Sequence, residues 1–213
     1  MSSPNDRPLT TTSYAVLGLL AVRPWSMYAL TKQLRRSLRH IWPRAESNVY
    51  AEPKRLMAAG LVTAEVQTTG KRDRTVYAIT DAGRRALAEW LGTESGPSRF
   101  ESELLVKILF ANVGTKEEML DNLHRFAAEA AAARALWATV AGEYLSGADP
   151  FPERLHINAL FFRWVWEQAA TNARWAEWAI DQVEGWPDVD GPADSEISLE
   201  TFREALRADP ATR

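Results

Sequence analysis

Lys54-Arg55-Leu56-Met57-Ala58-Ala59-Gly60, with the residues that follow it to Ile79, decides how this chain reads. The quoted run closes a segment from Glu46 and has the composition of a short helix. It stops at glycine, which takes the left-handed backbone just past a helix end at least cost. Leu61 to Val66 and Arg74 to Ile79 are rich in valine, threonine and other apolar residues. The turn between them, Thr68-Thr69-Gly70-Lys71-Arg72-Asp73-Arg74, is basic and contains glycine. That is the pattern of a hairpin with a longer loop. A helix joined at once to a basic two-stranded ribbon is the organising element. The other segments hold it or pair it with a second copy.

At about 100° per residue over Ser47 to Ala59, Val49, Pro53 and Leu56 share one face. Ser47, Ala51, Lys54 and Ala58 fall opposite, with Asn48, Tyr50 and Arg55 on the flanks. The outward side is thus small, polar or basic, as a helix entering a major groove about 12 Å wide requires. Pro53 complicates this helix. A proline inside a helix costs about 3 kcal/mol unless it lies in the first turn. Either the helix bends there, or regular helix begins near Tyr50 after a tighter turn. The ring lies on the inner face, so bending is the expectation.

Upstream, Ser13 to Val22 is apolar and fits a buried first helix with Thr12 or Ser13 as N-cap. Ser26 opens a second helix whose stripe is Leu30, Leu34, Leu38 and Ile41, with Lys32, Arg35, Arg36 and Arg39 off it. Thr80-Asp81 caps a fourth helix, Ala82 to Leu91. Three to four helices with a two-stranded β wing make a winged helix-turn-helix, a DNA-binding module. Lys54 and Arg55 on the helix, and Lys71, Arg72 and Arg74 in the wing, are the candidate phosphate or base contacts. For Arg74 the alternative is pairing with a carboxylate such as Asp73. For Tyr50 the alternatives are a phosphate bond and the edge of the core.

The balance of charge agrees with this. The chain has 213 residues and a formal net charge of -3. Residues 1–92 carry 14 Lys+Arg against 7 Asp+Glu, a balance of +7, and the remainder carries -10. One half is suited to a polyanion and the other is not. There are no cysteines, which excludes disulfides, thiolate zinc sites and a cysteine nucleophile. No apolar run approaches the roughly 18 residues of a membrane span. Nor does an apolar core follow a basic head as in a signal peptide, so a cytoplasmic protein with no membrane partner is expected. His40, His124 and His156 lie far apart without acidic or histidine partners at ligand spacing, so no metal site is expected. No phosphate loop, nucleophile elbow or zinc-protease helix occurs. The expectation is a non-enzyme without cofactors.

Gly92 to Ser98 reads as a linker. Domains are expected at 1–92 and 99–213. The back half reads as all helix. Phe100, Leu104, Ile108 and Ala111 form one face, and Thr115 with Glu118 is a capping box. A helix from there to about Leu145 spans about 45 Å, more than a small isolated domain covers. Leu155 to Val183 is a second long helix, and Ser198 caps a last one through Leu206. Trp164, Trp175 and Trp178 stand close to one face of the second long helix, with Trp166 pointing away. Core and dimer packing is one reading of these three. A pocket for a planar aromatic effector is the other.

The front half resembles the PadR family of bacterial transcriptional regulators. Tyr14-Ala15-Val16-Leu17-Gly18-Leu19-Leu20, Ser26 to Leu30, Val49-Tyr50 and Lys54-Arg55-Leu56 carry the likeness. Gly60-Leu61-Val62 and Arg74 with Tyr77 to Gly83 complete it. Met27 departs where many members have glycine, and Pro53 where many have leucine. The resemblance implies a homodimeric repressor, with long C-terminal helices making the dimer. It implies release from a pseudo-palindromic double-stranded operator by a small molecule, aromatic in some members. The reading helix would meet the DNA through Ser47, Asn48, Tyr50, Ala51, Lys54 and Arg55. The wing would add Lys71, Arg72 and Arg74. The alternative is a ligand-binding or protein-interaction module without DNA binding.

Overall fold

A computed structural model describes residues 8–38, 41–42, 49–69, 72–148, 151–190 and 195–208. The chain divides into two compact units, residues 1–98 and 99–213.

The first unit begins with α1, Thr11–Val22. Its N-cap is Thr10, not Thr12 or Ser13: the Ser13 amide donates to the Thr10 hydroxyl at 3.3 Å. The Ser13 hydroxyl accepts the Thr10 amide at 2.8 Å, so serine is the distal half of a capping box rather than its cap. Val16, Leu17 and Leu20 of this helix are fully buried. They are joined by Leu30 and Leu34 of α2, Met27–Leu38, and by Leu56 of α3, Glu52–Ala58. Each leucine so buried contributes roughly 2 kcal/mol of hydrophobic stabilisation. The expected Ser26 cap is present, its hydroxyl accepting the Ala29 amide at 3.4 Å. The α4 helix, Asp81–Leu91, is capped by Thr80, and Trp90 stacks on Tyr14 of α1 at 4.6 Å between centroids.

The sheet has three antiparallel strands in the order β1-β3-β2: β1 Trp25–Ser26, β2 Val62–Thr69 and β3 Arg72–Ile79. The sequence reading missed β1, whose two residues fall between helix signals. They pair with Tyr77 and Val76. It also placed a loop at Thr68 to Arg74 that is largely strand. Pairing runs from Val62 opposite Ile79 to Thr69 opposite Arg72, and Thr68 donates its hydroxyl to the Asp73 carboxylate at 2.7 Å. The expected loop was too long because this outer ribbon lacks an apolar alternation. Its described side chains from Thr63 to Thr68 and from Asp73 to Thr75 are exposed, so neither face has a core to read.

The second unit is helical. In α5, Glu103–Leu109, Lys107 sits one turn after Glu103 and holds its carboxyl below the usual range. The α6 helix, Lys116–Leu145, carries the expected Thr115–Glu118 capping box and is 30 residues long. It packs on α7, Leu155–Glu184, also 30 residues. The two run antiparallel: Lys116 at the start of α6 donates to the Glu184 carbonyl at the end of α7, at 2.8 Å. Met119 and Leu123 meet Ala179 and Val183 at that end, and Trp137 meets Val165 and Ala169 further along. Small residues at Ala169, Ala173, Ala176 and Ala179 form the contact stripe of α7. The last helix, α8, is Ser195–Ala208, so Ser198 lies inside it rather than capping it.

Candidate nucleic-acid interface

The reading helix is shorter than the sequence suggests, and Pro53 is the reason. Val49 to Ala51 form a turn, and regular helix starts at Glu52 with Pro53 in its first turn. There the missing amide had no intrahelical acceptor to lose, and the fixed φ of the ring favours helix. The expectation of a bend is corrected: the proline starts the helix. Its ring is buried with Val49 and Leu56, so the inner face is as the periodicity predicts. Gly60 closes the helix at φ +72°, where a side chain would strain the backbone.

The outer face consists of Ala51, Lys54 and Ala58, all exposed. Tyr50 is 58% exposed, which removes it from the core edge. Ser47 and Asn48 lie outside the described residues. Lys54 makes no ion pair with any described residue and presents a charge beside small neighbours. Small neighbours let a helix backbone come close to a groove floor, and a single ammonium suits a phosphate.

Arg55 is engaged within the chain. It turns inward, with its Nη2 3.0 Å from the buried carboxylate of Glu52. The same guanidinium donates to the Ser13 hydroxyl and to the Pro8 carbonyl. Arg55 therefore ties α3 to the start of α1. The helical wheel placed it on a flank, where either direction is open; the buried Glu52 one turn earlier decided it.

In the wing, Arg74 is exposed on β3, and Asp73 takes its hydrogen bond from Thr68 rather than pairing with Arg74. Arg72 begins β3, opposite Thr69. Lys71 lies outside the described residues. One further candidate escaped the sequence reading. Tyr28, in the first turn of α2, is 78% exposed, and Lys32 and Arg35 follow on the same exposed side. The available signal was an aromatic residue off the apolar stripe of its helix.

The three tryptophans of the second unit do not close a pocket among themselves. Trp164 and Trp178 are exposed, while Trp175 packs edge-on against Phe126 of α6 at 5.6 Å. A cavity of about 550 Å³ in this unit is lined instead by α5 and the first turns of α6, including Lys107, Phe110, Met119 and Arg125. Among the described residues no cluster of histidines or carboxylates could hold a metal ion, and no helix is long and apolar enough to cross a membrane.

Residues 16–89 match the family described as transcriptional regulator PadR-like, and residues 101–184 match that described as virulence activator alpha C-term. A relative, the negative transcriptional regulator PadR of Bacillus subtilis strain 168, is 30% identical over 110 residues. That match covers 51% of this chain and 60% of the relative's length. The crystal structure of Bacillus subtilis PadR in complex with operator DNA has a TM-score of 0.69 at 22% identity, over 82% of this chain and 99% of that one. The same protein in complex with p-coumaric acid gives 0.63 at 22% identity, over 87% and 100%. These likenesses establish the fold.

Proposed function

We propose, from the membership of residues 16–89 in the PadR-like family of transcriptional regulators, that this chain binds operator DNA as a homodimer and represses transcription. The observation that carries the reading is the exposed cation Lys54 among small residues on α3, with Arg74 on the adjoining ribbon. The likeness in fold to PadR bound to its operator supports it. In a two-fold dimer the two reading helices would stand about 34 Å apart, or a multiple of that, facing a pseudo-palindrome. The proposal includes residues 1–92 as the DNA-binding part and residues 99–213 as the part that pairs. It includes a cytoplasmic location and no catalytic activity. It also includes release by an aromatic small molecule, supported by the p-coumaric acid complex of Bacillus subtilis PadR.

Selection of bound fragments from the host's genomic DNA tests the reading. A small set of fragments enriched over competitor, with affinity falling steeply as salt rises, is the expected result. Uniform weak retention of all fragments, or none, would overturn it in favour of an interaction module. Intrinsic tryptophan fluorescence, titrated with phenolic acids, tests the effector. No quenching and no change in operator affinity across a broad panel would remove that element.

A further inference from the structure

The last helix and the cavity of the second unit both present apolar side chains to solvent, and a short piece of chain joins them. The α8 helix lies outside both family matches, which reach no further than residue 184. At about 100° per residue, Leu199, Phe202 and Leu206 of α8 stand within an arc of about 60°. All three are exposed, Phe202 to 69%. One flank of this stripe is small, with Ser198 and Ala205. The other carries Glu196, Glu200, Arg203 and Arg207, which pair among themselves: Arg203 meets both glutamates and Arg207 meets Glu200 at 2.8 Å. A helix of 14 residues is marginal in water on its own propensity and depends on packing an apolar face.

The cavity offers a surface of matching kind and length. Leu104, Val106, Ile108, Phe110, Ala111 and Met119 line it, and Val106 and Phe110 are both more than half exposed. Its α6 wall, from Thr115 to Arg125, is about 15 Å long, and the stripe from Leu199 to Leu206 is about 10 Å. An amphipathic helix lays an i, i+3, i+7 stripe of this kind into an apolar groove.

The path of the chain brings the two together. Trp186 and Val189, just past α7, pack against the cluster of Met119, Leu123, Ala179 and Val183. Leu104, Ile108 and Ala111 pack on the same cluster and also line the cavity. Val189 is six residue steps from the start of α8 at Ser195, a span of up to about 20 Å. A tether that short holds a segment at roughly millimolar effective concentration, which favours α8 of the same chain over one from a second copy.

We infer that α8 is a lid that seats on the α5–α6 cavity of its own chain, with Phe202 entering it. Ser198 and Ala205 turn inward, and the paired charges stay hydrated at the rim. The exposed stripe of the structure is the open arrangement, and a ligand reaching the cavity has to displace Phe202. The inference stands apart from the DNA-binding reading.

The chain's lack of cysteine makes the test direct. In the full chain, Val106→Cys places one thiol in the cavity wall, and its rate of labelling by a maleimide is measured. Adding Phe202→Asp is expected to raise that rate at least fivefold, while Thr201→Asp, on the far face of α8, leaves it unchanged. Both altered side chains are exposed, so circular dichroism should show the fold intact. Separately, Val106→Cys with Ala205→Cys in one chain is treated with a short bismaleimide. A cross-link within the single chain is expected, at least five times the yield given by Glu204→Cys in place of Ala205→Cys. Equal labelling rates with and without Phe202→Asp overturn the lid. So does a cross-link formed only between chains, when Val106→Cys protein is mixed with Ala205→Cys protein, because it assigns the cavity to α8 of a second copy.

Discussion

Arg55 and Glu52 form an ion pair at 3.0 Å on the inward side of α3, and the same guanidinium reaches Ser13 at the start of α1. Removing the arginine leaves a buried carboxylate without its cation. Hydrogen bonds to charged groups contribute about 1.5–3 kcal/mol, and the loss is larger when a charge stays behind. We expect Arg55→Ala to destabilise the first unit by about 2 kcal/mol. Urea denaturation followed by circular dichroism would show it. An unchanged midpoint with weakened DNA binding would return Arg55 to the DNA-facing set.

Lys54→Ala should behave in the opposite way. The side chain is exposed and supports no part of the core. The midpoint of unfolding is expected to stay within about 0.5 kcal/mol of the parent, as for most surface changes. Affinity for selected DNA should fall, and the slope of log affinity against log salt should drop by about one unit. Arg74→Ala should lower the slope similarly. Fluorescence anisotropy at several salt concentrations measures both.

Pro53→Ala separates two accounts of the same residue. If the ring kinked a longer helix, its removal would stabilise the protein. With the ring buried in the first turn, removal opens a small void and frees the unfolded chain. A proline at a compatible position stabilises by about 0.4–1 kcal/mol through the unfolded state alone. The expected outcome is therefore a loss of about 1–2 kcal/mol once the void is added. A rise in melting temperature would refute the first-turn account.

Gly83→Ala should be among the most damaging single changes in the first unit. A Cβ at this position in α4 would lie 2.2 Å from the Leu61 carbonyl oxygen and 2.8 Å from Cγ1 of Ile79. The oxygen belongs to backbone already engaged by the Thr80 amide at 3.0 Å, so it has no easy retreat. Overpacking of this kind costs about 1–3 kcal/mol and sometimes more. A thermal melt of the full chain, followed by circular dichroism, would register it.

Much of this fold was legible because periodicity and caps act locally. The Ser26 and Thr80 caps, the Thr115–Glu118 box and the stop at Gly60 each satisfy backbone groups within one turn of themselves. Adjacent residues suffice to read them. Four features were harder to read from the sequence. Thr10 is the true cap of α1 because Ser13 serves as its counterpart. Strand β1 exists only through its pairing with Tyr77 and Val76. Arg55 points inward because of Glu52 and Ser13. The outer ribbon is strand without an apolar face, so hydrophobic alternation could not reveal its length. In the candidate site, periodicity alone identified Lys54 and the small residues beside it, whereas Tyr28 was passed over as a helix-opening residue.

The ribbon built by β2 and β3 bears on how quickly the molecule can engage its target. Its ladder is complete to Thr69 and Arg72, with the Thr68–Asp73 bond locking the outer rungs. Ordering one residue of flexible backbone costs about 1–2 kcal/mol. Here that cost is met during folding, before any DNA is present. Arg74 is carried on a stiff arm and has only side-chain rotamers left to select. Encounters made through Arg74 should therefore be governed by diffusion and electrostatic attraction. Association should be fast and strongly salt-dependent, and changes in the ribbon's charges should alter its rate before they alter how long the complex lasts.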